Sequence, residues 1–295
     1  MSLVIAAVGF GFASAAVLCL AALGFTLQAG ITNVVNLAYG TNLTVGAFGA
    51  LVGETVFHLD IWLAMLLGAL IMGFVSVFLN RAVIDPFIRR GTRHFQMMLV
   101  TFALSIVLEY VVVLIWGENF YSYTGVPSGV LNIGPMSFTS SQLLIMGIAA
   151  LLLLVMHTML RYTKLGKALR AMADDKELAR GCGVNVSRMT DITWFLSGAL
   201  AGLAGVSLAM TTSSFSEILG SNYLLVVVAA AVLGGAGEPY GAMLGGLIVG
   251  VVTEVSTVWI PNEYSDVIAL ALLVVFCLFR PEGIISGRVQ RSEEL

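Results

Sequence analysis

The chain has 295 residues, of which 59% are apolar and only 11% charged, and 14 Lys and Arg against 17 Asp and Glu leave a formal net charge of −3. Soluble domains carry roughly 25% charged residues, so a water-exposed globule of this size is excluded; without a basic excess, so is nucleic-acid binding as a main role. A mean hydropathy of +0.98 leaves an all-α, polytopic transmembrane helical bundle.

In chain order, residues 3–25, 61–79, 96–116 and 141–160 are apolar runs close to the roughly 20 residues that cross a bilayer as helix. The first begins at Leu3 with no Lys or Arg ahead of it. A signal peptide would carry a positive leading region, so a retained helix is expected. With a more polar segment at 33–53, the first 80 residues cross three times. Residues 94–160 supply two crossings, joined by a polar stretch from Glu118 to Gln142 with Pro127 and Pro135. Residues 189–279 supply four, at about 191–211, 222–236, 240–259 and 265–279. Eight or nine spans are therefore expected in one transmembrane domain over 1–295, with 33–53 and 222–236 short or broken.

All 14 Lys and Arg fall in the windows 81–93, 161–188 and 280–295. Short cationic loops are retained on the inner face of a membrane. Loop 161–190 and the tail 280–295 are thus placed in the cytoplasm, and the odd number of crossings before the first window puts the N-terminus outside. Cys19, Cys182 and Cys277 are odd in number and far apart, which offers neither a disulfide framework nor a zinc spacing. His58, His94 and His157 stand alone, with no metal motif.

Two stretches depart from lipid-facing helix. Gln28–Gly53 carries Thr32, Asn33, Asn36, Tyr39, Gly40, Thr41, Asn42 and Thr44; Ser213–Gly246 carries Ser216, Glu217, Ser221, Asn222 and Tyr223, then Gly234, Gly235 and Gly237. Polar backbone survives at membrane depth only where protein buries it or a wet cavity touches it, and paired interrupted segments mark a transporter pathway. A polar pathway between the two stretches is expected, with Asn36, Tyr39, Gly40, Thr41, Asn42, Gly234, Gly235 and Gly237 as candidates. The pairs Gly49/Gly53, Gly198/Gly202, Gly241/Gly245 and Gly246/Gly250 also read as close helix packing. Glu109 and Glu254 are intramembrane acids, expensive and therefore candidates for function.

In 161–190, Leu165, Ala168, Leu169, Met172 and Ala173 recur at helical spacing. Asp174-Asp175 can then cap a second short helix that stops at Gly183. Two helices projecting from the membrane suggest a docking surface. The one Gly-Lys pair, Gly166-Lys167, is followed by Ala168 and has Arg161 in place of the first glycine of a phosphate loop. The chain is expected to bind no cofactor itself, and any ATPase is a separate subunit.

The run Glu177-Leu178-Ala179-x-x-x-Gly183 resembles the E-A-A-x-x-x-G coupling loop of bacterial ABC importer permeases. Its surroundings, TKLGKALRAMADDKELARGCGVNV, resemble the version in the high-affinity branched-chain amino-acid permeases of the LivH type. So do NLAYGTNLTVGAF at 36–48, SGALAGLAGV at 197–206, VLGGAGEPYGAMLGGLIVG at 232–250 and FRPEGIISGR at 279–288. One departure is Tyr39, where the family pattern leads one to expect His. The resemblance implies an inverted-repeat permease of the bacterial inner membrane. Its partners would be a second homologous permease, two cytoplasmic ATPases that bind ATP and Mg, a periplasmic binding protein and membrane lipid. It assigns ATPase coupling to Glu177, Ala179 and Gly183, with Arg170 and Asp174 beside them. The substrate expected is a branched-chain or other amino acid. The alternatives are a urea or short-amide permease of the same family, or an ion-coupled transporter acting alone through Glu109 or Glu254.

Overall fold

Seven helices are long and apolar enough to cross a membrane in the computed structural model, which describes residues 2–32, 34–127, 129–133, 136–235, 237–280 and 283–285. The helices are α1 (Ser2–Thr32), α2 (Tyr39–Thr55), α3 (Ile61–Leu79), α4 (Asp85–Arg89), α5 (His94–Trp116), α6 (Ser140–Tyr162), α7 (Lys164–Asp174), α8 (Lys176–Gly181), α9 (Val186–Thr211), α10 (Leu219–Gly234), α11 (Pro239–Ser256) and α12 (Ser265–Phe279). The short α2 and α10 stand beside the seven long helices, at the two segments expected to be short or broken. Two features go beyond an all-α expectation. A π-turn, Asn80–Ile84, joins α3 to α4, and the stretch between α5 and α6 contains an antiparallel hairpin, β1 (Val130–Ile133) and β2 (Met136–Thr139). The tail beyond 285, with Arg288 and Arg291, lies outside the described residues, as do Asn33, Pro135 and Ala236.

The first helix runs seven residues past its expected end. Gln28–Thr32 stay helical because their polar groups turn inward: Thr32 Oγ1 donates to the Gln28 carbonyl at 2.7 Å and Ser197 donates to Gln28 Oε1 at 3.2 Å. Leu18, Leu20 and Leu23 of α1 join Leu43 and Ala47 of α2 and Leu200 of α9 in the main apolar core. On the outer helices the apolar side chains face outward instead, Leu114 of α5 being 84% and Phe279 of α12 85% exposed. Such faces suit lipid or another protein, not water.

The pattern long, short, long occurs twice, as α1–α2–α3 and α9–α10–α11. Each half sends its first helix against the other half's third. A methyl group on Gly246 of α11 would lie 2.8 Å from Cys19 Cα of α1, and one on Gly202 of α9 would lie 2.9 Å from Ala69 Cα of α3. The two short helices meet by their first turns, at Gly40 and Gly220. This exchange is the arrangement an inverted repeat produces, as expected. Gly198, Gly202, Gly246 and Gly250 all sit at these contacts, so the G-x-x-x-G pairs do serve close packing.

The described parts of the cationic windows gather at one end of the bundle. Arg81 donates to Asp191 Oδ2 from Nη2 at 2.6 Å and from Nε at 3.0 Å, and Asn80 Nδ2 donates to Asp191 Oδ1 at 3.2 Å. Those bonds tie the first window to the start of α9. After α12 the chain returns to the end of α10, where Ile284 and Ile285 donate to the carbonyls of Leu233 and Gly234. The C-terminal turn of α1 lies at this end too, with Gly30 against Gly237, so the start of α1 is at the other. There Glu54 Oε1 accepts from Thr124 N and Oγ1 and from Gly125 N at 2.7–2.8 Å. Phe48 packs its ring against Trp116, Tyr121 and Phe215, with centroids 5.1–5.5 Å apart.

Candidate functional site

Two places in this fold combine the expected residues with a surface that can act. The first is the hairpin α7–α8. Thr163 caps α7 by accepting from Gly166 N at 3.1 Å. Asp175, the N-cap of α8, accepts from Glu177 N at 2.8 Å and Leu178 N at 3.0 Å, satisfying donors that a helix start leaves free. Gly183 then ends α8 at φ +87°. Val184 N donates to the Ala179 carbonyl and Gly183 N to that of Arg180, both at 3.0 Å, the paired bonds of a Schellman stop. Asn185 begins α9 at once, accepting from Arg188 N at 3.1 Å. A six-residue helix has little stability of its own; these caps hold α8 in place.

The five residues expected to couple to an ATPase divide by position. Glu177 is exposed, as is Leu178 at 67%, and Arg180 Nη1 donates to both Glu177 oxygens at 3.0 Å. Ala179 is buried at 4% and keeps α8 down on the bundle. Gly183 makes the stop. Arg170 and Asp174 lie apart from these on α7. They line a cavity of about 250 Å³ together with Gly30 and Ile31 of α1, Leu160 of α6 and Gly237–Tyr240 at the α10–α11 turn. Burial draws the Lys176 ammonium below the usual lysine range, because a charged form loses solvation there.

The second place is a polar seam where α5 meets the first turns of α2 and α10. α5 buries only Met97, Thr101 and Val112, yet three polar side chains follow one face: Thr101, Ser105 and Glu109. Leu37 N donates to Thr101 Oγ1 at 3.2 Å. The hydroxyls of Thr41 and Ser105 lie 2.6 Å apart, and those of Thr41 and Ser221 3.5 Å apart. Ser221 donates to Glu109 Oε2 at 3.0 Å. Thr101 and Ser105 escaped the sequence reading, although a spacing of four through an apolar run is a helix-face signal.

The candidate pathway residues do not all gather here. Thr41 lies in the seam and Gly40 packs against Gly220 beside it. Asn36 folds its own turn, Oδ1 accepting from Ala38 N at 3.0 Å. Tyr39 and Asn42 are buried, the Tyr39 ring edge-on to Phe25 at 5.5 Å and its hydroxyl against Gly24. Gly234 and Gly235 are elsewhere, at the far end of α10, about 20 Å from Ser221 at 1.5 Å per residue, with Gly237 in the turn beyond. Gly234 packs on Gly241, and Gly237 on Gly30. Of the two stretches, Gly220 and Ser221 meet α2, whereas Gly234, Gly235 and Gly237 pack at the turn between α10 and α11. The other intramembrane acid, Glu254, accepts from Ser14 at 3.2 Å in the α1–α11 contact. No cluster of metal-ligating side chains occurs among the described residues.

The family model for the branched-chain amino acid transport system permease component matches residues 7–277. The high-affinity branched-chain amino acid transport system permease protein LivH of Salmonella typhimurium is 30% identical over 279 residues, covering 90% of each chain. The corresponding BraD of Pseudomonas aeruginosa is 29% identical over the same length, again with 90% of each covered. Among solved structures, PsaBC from Streptococcus pneumoniae in complex with Fab has the same fold, with a TM-score of 0.50, 17% identity and 93% and 92% of the two chains covered. A multi-pass membrane protein with this helix pairing and this similarity along nearly its whole length belongs to the branched-chain amino acid transport permease family.

Proposed function

We propose that the chain is the permease subunit of an ATP-driven ABC importer that moves branched-chain or other amino acids across the bacterial inner membrane. It forms one transmembrane domain, with loop 161–190 and the C-terminal tail in the cytoplasm and the N-terminus in the periplasm. Substrate comes from a periplasmic binding protein. A second, homologous permease completes the route, and two separate ATPase subunits bind ATP and Mg, so this chain holds no cofactor and catalyses no reaction.

The observation that carries this reading is the doubly capped α8, which presents Glu177 and Leu178 outward while α7 shares a cavity with α1 and the α10–α11 turn. A push on α8 by an ATPase passes through Ala179 and α7, and Arg170 and Asp174 face the ends of α1 and α6 and the α10–α11 turn across the cavity. Alternating access follows if α5, held to α2 and α10 through hydroxyl contacts more than tight packing, shifts along the seam. Asn36, Tyr39, Gly40, Thr41 and Asn42 shape the seam and its support, and Gly234, Gly235 and Gly237, packed at the α10–α11 turn, belong to the inner end of the route.

The test is the double substitution Glu177→Lys with Gly183→Trp. Co-purification of the ATPases and amino-acid uptake should both be lost, while the variant still inserts in the membrane. Retention of both would refute docking at α8.

A further inference from the structure

We infer that Glu109 is the group that receives the ammonium of a substrate crossing the seam, so that the route itself favours amino acids over neutral amides. The inference rests on the seam being the translocation path.

Glu109 is half-buried within α5, a span of 23 residues. It has no ion-pair partner among the described residues. A carboxyl group at membrane depth is costly and persists where it lines a polar route or awaits a cation. If its role were structural, it would be expected inside the bundle with its oxygens fully engaged. Instead one hydrogen bond, from Ser221, fixes Oε2, and the residue lies on the same side of α5 as Ile106, which is 42% exposed and one turn away.

Its neighbours complete the chemistry. An ammonium is a triple donor with no acceptor, and the oxygens of Thr41, Ser105 and Ser221 can accept beside the carboxylate. No cation lies among these groups to hold a substrate carboxylate. A neutral amide would forgo the charge assistance that makes such hydrogen bonds strong. Glu254 has a hydroxyl partner too, but it lies in the α1–α11 contact, outside this seam.

The test uses the whole importer, with ATPases and binding protein, in proteoliposomes with L-leucine as probe. Glu109→Gln should lower ATP-dependent uptake about tenfold or more, the scale of one hydrogen bond to a charged group, with the ATPases still co-purifying. Glu109→Asp should recover a large part, and Glu254→Gln should stay within about twofold of wild type. Uptake unchanged in Glu109→Gln overturns the inference. So does equal loss in Glu109→Gln and Glu109→Asp. Failure of the underlying importer reading looks different: wild-type protein would show no ATP-dependent uptake at all.

Discussion

Gly40 and Gly220 are the second residues of the two short helices, and each occupies the space a side chain on the other would need. A methyl group on Gly40 would lie 2.6 Å from the Gly220 carbonyl oxygen, and one on Gly220 would overlap the Gly40 carbonyl. The pair fixes where α2 and α10 meet and therefore the depth of Thr41 and Ser221 in the seam. Gly40→Ala and Gly220→Ala should each destabilise the protein by about 1–3 kcal/mol, the usual cost of overpacking. Thermal unfolding in detergent measures it, and the double variant should be non-additive because the two residues touch.

The caps of α8 make separate predictions. Asp175→Ala removes the acceptor for two backbone donors and should cost about 0.5–2 kcal/mol of local stability, whereas Asp175→Asn should largely preserve it. Hydrogen exchange at the amides of Glu177 and Leu178 reads this directly. Gly183→Ala forces a left-handed residue to carry a side chain, at roughly 1–2 kcal/mol, and should loosen the same amides without disturbing α1 or α9.

Accessibility of the cysteines tests orientation. Cys182 is exposed beside the α8 stop, Cys19 is buried and Cys277 is half-buried. A membrane-impermeant maleimide should label Cys182 in inside-out vesicles and leave it untouched in cells whose outer face alone is accessible. Labelling from outside would reverse the assignment of the cationic end.

Tyr123 closes the opposite end, its hydroxyl donating to the Ala47 carbonyl at 2.8 Å. Burial, with the nearby Glu54 charge adding to it, pushes its phenol pKa well above the ordinary value. A raised pKa contributes stability below the unfolded-state value and loses it as pH rises toward the folded one. Thermal stability should therefore fall above about pH 10, and less steeply in Tyr123→Phe. At neutral pH that variant should lose about 0.5–1.5 kcal/mol with the hydrogen bond.

Much of the architecture was legible along the chain because bilayer thickness and charge placement act on sequence directly. Spans at 61–79 and 265–279 appear at the expected residues, since a run of apolar side chains bounded by charge has few alternatives to a membrane helix. The two helices of 161–190 were readable from Asp175 and Gly183, whose cap and stop depend on neighbours within six residues. The hairpin at 130–139 was not, because nothing in that polar stretch outweighs a loop until the strands pair.

The chain by itself determined a cation-poor helical bundle with two interrupted segments and a capped polar hairpin, since each depends on local composition or spacing. Tertiary structure alone decided which interruptions meet. Thr41, Ser105, Glu109 and Ser221 come from three helices spread over 181 residues, and their juxtaposition rests on Gly40 and Gly220 letting two backbones touch. Gly234, Gly235 and Gly237 lie at or beyond the other end of α10, because a helix of 16 residues keeps its two ends apart.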